Sequence, residues 1–228
     1  MEWTVGWWQV SVQRVYPTTT QLSQTYNKAA IWWHQLVRLL GYRHAYRELW
    51  RSLKNADILL DWQDNLNICD CGIGTADFSL AFAQTINPTI QITGVDVSSE
   101  MLKIADQQLS QANIRHQICQ SDVNTLPFAD HSFDGVMSAY MLEHLLNPAQ
   151  GLQEMVRVLR PGAPLVLVVT RSGLLGSLIQ WHWGTRCFTQ EKLSALIREA
   201  GLNRVQFFSF PIGLARFTSM ACIGFKKS

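Results

Sequence analysis

Residues 66–79, LNICDCGIGTADFS, decide the fold of this chain. They read as a buried strand that reaches the acidic Asp70, turns through Gly72 and Gly74, and enters a helix. Glycine is needed in such a turn because the backbone visits φ angles that a Cβ resists and because a ligand must approach it closely. A carboxylate before the first glycine would repel a phosphate and attract an ammonium group. The stretch therefore predicts a ligand-binding turn rather than an ordinary strand-to-helix connection.

Length and composition predict one α/β domain with some additional cover. The chain has 228 residues, of which 47% are hydrophobic, and this is enough to bury a sizeable core. Nineteen Lys and Arg residues against seventeen Asp and Glu leave a formal charge of +2, and the basic residues are scattered. A nucleic-acid partner is therefore not expected, since proteins that bind nucleic acids concentrate their positive charge.

Neither a signal peptide nor a membrane-spanning segment is expected from the sequence. Residues 1–6, MEWTVG, lack a basic region followed by an apolar core. No run approaches the roughly 18 apolar residues of a transmembrane helix. We expect a cytoplasmic protein without a transmembrane segment.

Five cysteines form no C-x-x-C pair: Cys69, Cys71, Cys119, Cys187 and Cys222. Cys69 and Cys71 straddle Asp70 on the first strand, so their side chains leave on the face opposite to that of the carboxylate. We interpret them as small apolar core residues, with a redox or metal role as the alternative. No cluster of His, Cys and carboxylate residues has metal-ligand spacing, so no bound metal is expected.

Tryptophan is concentrated near the start of the chain. Seven of the nine tryptophans fall in the first 62 residues, whereas Trp181 and Trp183 stand together far downstream. Aromatic rings supply large and stiff apolar area. The N-terminal segment therefore either packs heavily on the main domain or lines a pocket for an apolar or cationic ligand.

Two helical patterns precede the strand at residue 66. For residues 1–18, a short strand, a loose arm and a helix start all fit the pattern. One helix is predicted from about residue 18 to about residue 40, where Gly41 follows, and a second from about Tyr42 to Leu60. The predicted parts are a Trp-rich helical cap or lid at 1–60 and a main domain at 61–228 with a lid insertion at about 171–187.

Beyond residue 66, short apolar runs alternate with amphipathic stretches. Such alternation predicts an α/β fold with a doubly wound, mostly parallel sheet. The last two strands, Arg204–Phe210 and Ser219–Lys226, follow each other closely, so we expect a hairpin and an antiparallel edge. The strands predicted before them are Leu66–Cys69, Gln91–Val95, Ile114–Cys119, Phe133–Ser138 and Leu165–Thr170.

Acidic residues follow three successive predicted strands. Asp70 ends the first strand, Asp96 the second and Asp122 the third. Ligands of open α/β sheets bind outside the carboxyl ends of the strands, so these carboxylates should lie together. A carboxylate at Asp96 can accept two hydrogen bonds from a ribose diol, and one at Asp122 can accept one from an exocyclic amine. One acidic strand end is often only a helix cap, whereas three in register indicate a nucleoside site.

A nicotinamide or flavin dinucleotide suits these residues poorly. The fingerprint G-x-G-x-x-G requires a third glycine, and Asp77 occupies that position after Gly72 and Gly74. A carboxylate at a helix start opposes a pyrophosphate. The pattern instead favours a ligand with a ribose, an adenine and an amino-acid tail but no phosphate.

Several ordered motifs resemble those of class I S-adenosylmethionine-dependent methyltransferases, in particular the small-molecule group that includes the ubiquinone and menaquinone enzymes. They are DCGIGTA at 70–76, GVDVS at 94–98, SDV at 121–123, LPF at 126–128, SFDGV at 132–136, LEHL at 142–145 and LRPG at 159–162. The resemblance covers about residues 60–226. Ala76 in place of a third glycine and Ala163 after Pro161-Gly162 depart from the family pattern without affecting the expectation of cofactor binding.

The resemblance implies a fold, a cofactor and the residues that bind it. The fold would be a Rossmann-like sheet of seven strands whose last strand is antiparallel. The cofactor would be S-adenosyl-L-methionine, with S-adenosyl-L-homocysteine as product. Asp96 would take the ribose, Asp122 the base, and Tyr26 would reach the cofactor from the cap unless it is simply a core aromatic. The implied cofactor-binding residues are Tyr26, Asp70, Gly72, Gly74, Asp96, Val97, Met101, Asp122, Val123 and Ala139.

Methyl transfer requires alignment, exclusion of water and, for a nucleophile that carries a proton, a general base. His144 is the first candidate for that base because it follows the fourth strand near the expected methyl position, and His34 and His182 are its rivals. A histidine that only bonds to backbone at a helix start is the alternative interpretation of His144. The candidate acceptor-binding residues are Trp33, Tyr140, Arg171, Trp181 and Trp183.

The leading hypothesis is methyl transfer to an oxygen, nitrogen or carbon atom of a small, apolar or aromatic acceptor. One alternative is an enzyme that uses S-adenosylmethionine for cyclisation or decarboxylation instead of transfer. Another is a non-catalytic protein that binds S-adenosylmethionine. Amino-methylation of DNA is disfavoured because no Asn/Asp-Pro-Pro-Tyr/Phe run follows the fourth strand.

Overall fold

The structure of the protein, a computed structural model, describes most of the main domain and parts of the N-terminal region. The described residues are 2–5, 8–11, 20–21, 23–27, 41–56, 65–87, 89–173, 175–176 and 185–227. Five predicted site residues lie outside these ranges: Trp33, His34, Trp181, His182 and Trp183. Near the N-terminus, Glu2–Val5 (β1) pairs antiparallel with Trp8–Ser11 (β2), so of the three structures that fit the sequence pattern, strand is observed at these residues.

A seven-stranded sheet forms the centre of the described molecule. Its spatial order is β5-β4-β3-β6-β7-β9-β8, and β9 runs antiparallel to the other six strands. The strands are β3 (Asn67–Cys71), β4 (Gln91–Asp96), β5 (Arg115–Gln120), β6 (Gly135–Ala139), β7 (Pro164–Thr170), β8 (Leu202–Phe208) and β9 (Ser219–Lys226). The predicted fold class is confirmed, and the five predicted parallel strands end within two residues of the observed ones.

The hairpin at the end of the chain forms the antiparallel edge that was predicted. Its outer strand is β8, and β9 lies one position further in, between β7 and β8. All seven residues of β7 pair with β9, from Pro164 opposite Phe225 to Thr170 opposite Ser219. Pairing on both sides satisfies the backbone groups of β9, and β8 becomes the edge strand.

Helices cover both faces of the sheet. The described helices are α1 (Tyr42–Asn55), α2 (Asp77–Thr85), α3 (Ser99–Gln111), α4 (Pro148–Val158), α5 (Gln190–Glu199) and the short α6 (Ala215–Thr218). Side-chain caps begin three of them, because Ser98, Asn147 and Thr189 each accept a hydrogen bond from a backbone N–H in the first turn. Within the described helices, none has the length and apolar character needed to cross a membrane. The cytoplasmic location stays a prediction.

Alternation along the strands divides the core between the two faces. In β7, Val166 and Val168 pack with α1, α2 and α3, whereas Leu165 and Leu167 pack with α4 and α5. Cys69 and Cys71 belong to the second cluster, are fully buried, and have sulfur atoms 3.7 Å apart. All five cysteines are free thiols.

Helix α1 is fixed to the sheet by aromatic packing. Trp50 is fully buried, and its ring stacks on Phe78 of α2 at 4.9 Å between centroids. Tyr46 meets the same Phe78 edge-on at 5.0 Å. Removing a buried ring of this size typically costs about 3–5 kcal/mol, so α1 is a firm part of the core. One consequence is that Tyr42 and Tyr46 are held at the carboxyl edge of the sheet.

Candidate active site

A cavity of about 310 Å³ opens where the parallel strands end. The strand order reverses between β3 and β6, which is where ligands bind in open α/β sheets. We call one part the glycine-turn half: Gly72, Ile73, Gly74, Thr75, Asp77, Asp96, Val97, Met101, Asp122 and Val123. We call the other the tyrosine half: Tyr42, Tyr46, Phe78, Ala139, Tyr140, Met141, Glu143, His144, Leu145, Thr170, Thr185, Leu214, Thr218 and Ser219. Tyr26 completes the described lining.

The turn after β3 is shaped by two glycines with positive φ. Gly72 has φ +73°, and a Cβ there would lie within 2.5 Å of the Met141 side chain. Gly74 has φ +53°, and a Cβ there would meet nothing within 4 Å, so its backbone faces open space. The residue before α2, Ala76, also has a left-handed backbone at φ 65°, which a glycine would adopt with less strain.

Two strand-end carboxylates are held by nearby backbone N–H groups. Asp96 accepts hydrogen bonds from the N–H of Ser98 at 2.9 Å and of Gly74 at 3.0 Å. Burial raises the pKa of Asp96, while these hydrogen bonds act in the opposite direction. Asp122 accepts from the backbone N–H of Asn124 at 2.8 Å. Both side chains line the cavity, as do Val97, Met101 and Val123.

Asp70 lies behind the turn rather than on the cavity wall. Its side chain is 1% exposed and accepts a hydrogen bond from the Ser79 hydroxyl of α2 at 2.6 Å. Its other oxygen, Oδ1, accepts none from the described part of the chain. Burial raises the pKa of Asp70 to about 7, and the negative charge of Asp96 adds to the increase. Asp70 therefore contacts α2 and is not among the described residues that line the cavity.

A short N-terminal segment crosses the cavity. Residues 23–27 are helical, and the Tyr26 hydroxyl lies 2.9 Å from His144 Nε2. At the side of β4, Ser23 donates to the carbonyl of Val97 at 3.0 Å, and Asn27 accepts from the Ser98 hydroxyl at 2.6 Å. The segment therefore ties the loop after β4 to the segment after β6.

His144 has the environment of a neutral imidazole. It lies in the 3₁₀ turn Leu142–His144, and its ring meets that of Tyr26 edge-on at 5.4 Å. Desolvation by burial lowers its pKa to about 4. A base with so low a pKa takes up a proton weakly at neutral pH, which counts against His144 as the general base.

Three tyrosines dominate the other half of the cavity. Tyr140 follows β6 with φ 57°, a strained backbone for a residue that is not glycine, and its hydroxyl lies 2.6 Å from that of Ser219. Tyr42 meets Tyr140 edge-on at 5.8 Å, and Tyr46 lies 6.5 Å from the same ring. The result is a stiff aromatic wall with hydroxyl groups along it.

A buried carboxylate that the sequence analysis missed lines this half. Glu143 is 3% exposed and accepts two hydrogen bonds from Thr170, one from its N–H at 2.8 Å and one from its hydroxyl at 2.7 Å. Burial raises the pKa of Glu143 to about 7. Its position directly before His144 in the LEHL motif was the available signal, but the partner that holds it lies 27 residues away.

The remaining predicted site residues lie outside the cavity lining or outside the described residues. Arg171 is exposed after β7 and is not among the cavity-lining residues, because it lies beyond the strand end where Thr170 turns inward. His34, His182 and the three predicted acceptor-site tryptophans lie outside the described residues. Among the described residues, no group of three or more His, Cys, Asp and Glu could hold a metal ion.

Comparison with known proteins identifies the family. A model of the methyltransferase domain matches residues 69–167. A demethylmenaquinone methyltransferase of Listeria monocytogenes is 35% identical over 206 residues, which cover 78% of this chain and 84% of that relative. The chain belongs to the class I S-adenosylmethionine-dependent methyltransferases. A second relative, the demethylmenaquinone methyltransferase of Porphyromonas gingivalis, is 42% identical over 103 residues, 44% of this methyltransferase and 42% of that protein.

Solved structures share the fold of this methyltransferase. The [4+2]-cyclase SpnF aligns with a TM-score of 0.70 at 20% identity, covering 93% of this chain and 97% of that one. A SAM-dependent methyltransferase of Thermotoga maritima aligns with a TM-score of 0.69 at 19% identity, covering 90% and 99%. At these identities the likeness bears on the fold alone, so the cyclase gives no support to the cyclisation alternative.

The cavity of the methyltransferase fits S-adenosylmethionine. Asp96 accepts from two backbone N–H groups and keeps acceptor capacity, because a carboxylate has about four lone-pair positions, and Asp122 lines the cavity beside it. The space in front of Gly74 admits a ligand against the backbone. None of the described lining residues is Lys or Arg, whereas a ligand with phosphates would call for such partners.

Proposed function

We propose that this methyltransferase transfers the methyl group of S-adenosylmethionine to a ring carbon of a demethylmenaquinone-type acceptor in its reduced, hydroquinone form. The observation that carries the proposal is the meeting of strand-end carboxylates and an aromatic wall in one cavity. Relatives named demethylmenaquinone methyltransferases support the acceptor class. The hydroquinone is the reactive form because its hydroxyl groups make the ring carbon electron-rich.

In the glycine-turn half, the proposed assignments follow the geometry. Asp96 accepts hydrogen bonds from the ribose diol, and Asp122 with the N–H of Val123 recognises the base, against which Met101 packs. The Gly72–Gly74 turn, together with Ala139 of the tyrosine half, flanks the amino-acid end. Bound S-adenosylmethionine supplies an electrophilic methyl group on a positive sulfur and leaves as S-adenosylhomocysteine.

In the tyrosine half, the side chains align the acceptor and exclude water. Tyr42, Tyr46 and Tyr140, whose rings are tilted against one another, offer a stiff aromatic surface to a bicyclic ring. Leu214 is 47% exposed and Phe217 is 64% exposed, and Leu214 lines the cavity. We propose that these two residues guide the isoprenoid chain of the acceptor out of the cavity. Trp33, Trp181, Trp183 and Arg171 stay predictions as further acceptor contacts.

The N-terminal residues 1–60 are proposed to act as a cap on a domain at 61–228. The contacts of Ser23, Tyr26 and Asn27 with residues after β4 and β6 support this role. A cap that closes over bound S-adenosylmethionine would keep water from the sulfonium.

The test is direct methylation by the purified protein. S-adenosylmethionine and a 2-prenyl-1,4-naphthohydroquinone with a short chain are incubated with the protein under anaerobic, reducing conditions. Mass spectrometry should detect the acceptor with one added methyl group and an equal amount of S-adenosylhomocysteine. Histamine and phosphoethanolamine serve as alternative acceptors. Methylation of either amine, with none of the hydroquinone, would contradict the proposal.

A further inference from the structure

Glu143 occupies a fixed position on the cavity wall. It lies in the turn Leu142–His144 after β6, and both of its oxygens are held by Thr170, the last residue of β7. The two donors, an N–H and a hydroxyl of the same residue, define the plane and direction of the carboxylate. The backbone carbonyl of Glu143 in turn accepts a hydrogen bond from the N–H of Arg186 at 3.1 Å. The carboxylate is therefore oriented before any ligand enters.

The carboxylate retains acceptor capacity. Each oxygen can accept two hydrogen bonds, and Thr170 uses one on each. In the described part of the chain, no Lys, Arg or His forms an ion pair with Glu143. Beside it, the Thr185 hydroxyl is buried, lines the same cavity and has no partner among the described residues. Two polar groups thus face the cavity with hydrogen-bonding capacity to spare.

The titratable groups around Glu143 are mostly phenols. Tyr26, Tyr42, Tyr46 and Tyr140 all lie close enough for the Glu143 charge to raise the pKa of their hydroxyls, which stay protonated. The neighbouring His144 is neutral because burial lowers its pKa to about 4. The charged Arg171, on the same edge, is exposed, and the Arg186 side chain reaches the carbonyls of residues 145 and 146.

Glu143 is the stronger base of the two adjacent candidates. Burial raises its pKa to about 7, whereas that of His144 falls to about 4. A general base works best when its pKa is close to the working pH. Of the described residues in the tyrosine half, Glu143 best meets this condition.

We propose that Glu143 is the general base that removes the hydroxyl proton of the acceptor, with Thr170 as its positioning residue. The inference rests on the proposed function. The hydroxyl proton moves to the carboxylate, and the electron pair of the ring forms the new carbon–carbon bond while the carbon–sulfur bond breaks and its pair stays on sulfur. The hydrogen on the methylated ring carbon then leaves as a proton to solvent, and the oxygen regains the proton that Glu143 took up. One proton is released in total.

The principal test is Glu143→Gln, which keeps the size of the side chain and removes the base. We expect kcat/KM for the hydroquinone to fall about 100-fold, the usual contribution of a general base, while the Kd for S-adenosylmethionine stays within twofold by calorimetry. Glu199→Gln on the exposed face of α5 is the matched control and should keep the activity of the unmodified protein.

The pH profile separates a base from a merely structural residue. For the unmodified protein, kcat/KM should rise with pH through about 7 and then level off, because only the ionised carboxylate accepts a proton. Glu143→Gln should lose this limb. Thr170→Val removes the hydroxyl that favours the ionised form, so it should move the limb to higher pH. Thr170→Val also keeps the inference testable if Glu143→Gln fails to fold.

A readout independent of activity is available. Infrared difference spectra of the unmodified protein against Glu143→Gln should show a protonated carboxyl band that disappears as the pH rises through about 7. If the unmodified protein neither binds S-adenosylmethionine nor methylates the hydroquinone, the proposed function fails. If it methylates and Glu143→Gln keeps kcat/KM within threefold with the same pH limb, only the assignment of Glu143 is overturned. An unmoved limb in Thr170→Val would likewise overturn it.

Discussion

The two halves of the cavity differ in how far their geometry depends on local contacts along the chain. In the glycine-turn half, Asp96 and Asp122 each accept a hydrogen bond from the N–H two residues later, and Asp96 accepts one more from Gly74, 22 residues earlier. In the tyrosine half, Glu143 and Thr170 are 27 residues apart, and Tyr140 and Ser219 are 79 residues apart. Local contacts leave a motif in the sequence and distant ones leave none. The first half is therefore visible to sequence analysis, and the second emerges only once the sheet is assembled.

The largest expected effect concerns Asp70, the carboxylate beneath the glycine-turn half. Its folded pKa is about 7, against an unfolded value near 4, so the folded protein holds a proton between these pH values that the unfolded chain has lost. Stability attributable to Asp70 therefore falls as pH rises from about 4 to 7. Asp70→Asn cannot ionise and should be more stable than the unmodified protein above pH 7, by up to about 4 kcal/mol.

Urea unfolding at pH 5 and pH 8 measures this difference. Glu143 also has a raised pKa, so it too lowers the free energy of unfolding as the pH rises. This contribution is the same in Asp70→Asn and in the unmodified protein, and it cancels in the comparison. The free energy of unfolding should therefore increase more on Asp70→Asn substitution at pH 8 than at pH 5. An equal gain at both pH values would mean that Asp70 is ionised in the folded protein throughout.

Asp96→Ala tests the glycine-turn half itself. The change removes a carboxylate that would make charge-assisted hydrogen bonds to the ribose, so binding of S-adenosylmethionine should weaken by roughly 1.5–3 kcal/mol. Titration calorimetry measures this loss of affinity. Asp106→Ala is the control, because Asp106 lies on α3 with an exposed side chain, and this variant should bind S-adenosylmethionine normally. Unchanged affinity in Asp96→Ala would count against the ribose assignment.

Tyr26→Phe tests the segment that joins the two halves. It removes the hydroxyl that meets His144 and leaves the ring in place. One lost hydrogen bond corresponds to about 1 kcal/mol, so S-adenosylmethionine should bind about fivefold more weakly and dissociate faster. Stopped-flow release measures the rate. Thr25→Val on the exposed side of the same segment should leave the rate unaltered, and an identical loss in both variants would contradict a role for the contact with His144.

The smallest effect is expected at the mouth of the tyrosine half. Phe217→Ser should raise KM about threefold for a hydroquinone with a long isoprenoid chain, because less apolar surface covers the chain. The KM for an acceptor without the chain should stay the same. Arg216→Ser, at the adjacent exposed position, is the control. A rise for both acceptors would show that Phe217 affects the ring site rather than the chain.

The fold was predictable because its signals are periodic or local. Strand and helix alternation, the glycine turn at Gly72 and caps such as Thr189 each depend on a few neighbouring residues. The strand order was less accessible: β9 pairs inside the sheet because its full length matches β7, a fit that no local pattern encodes. Asp70 is a similar case. Its position at a strand end was predicted, but its direction toward Ser79 follows from how α2 packs on β3.

For a related reason, residue type alone favours His144 over Glu143 as the candidate base. His144 has an ordinary pKa near neutrality in water, so histidine is the natural first candidate. Burial disfavours the charged form of each group. It therefore lowers the pKa of the His144 imidazole, which makes it a weaker base, and raises the pKa of the Glu143 carboxyl, which makes its carboxylate a stronger base. Burial is a property of the assembled cavity, and residue type alone does not report it.

The position of β9 between β7 and β8 affects how the sheet assembles while the protein is being synthesised. Until residues 219–226 leave the ribosome, β7 has only one neighbour in the sheet, and its seven apolar or buried residues, PLVLVVT, present an open ladder to other chains. A nascent polypeptide that pauses at this stage would depend on chaperones to avoid aggregation. β7 therefore gains its second neighbour in the sheet only after residues 219–226 have been synthesised.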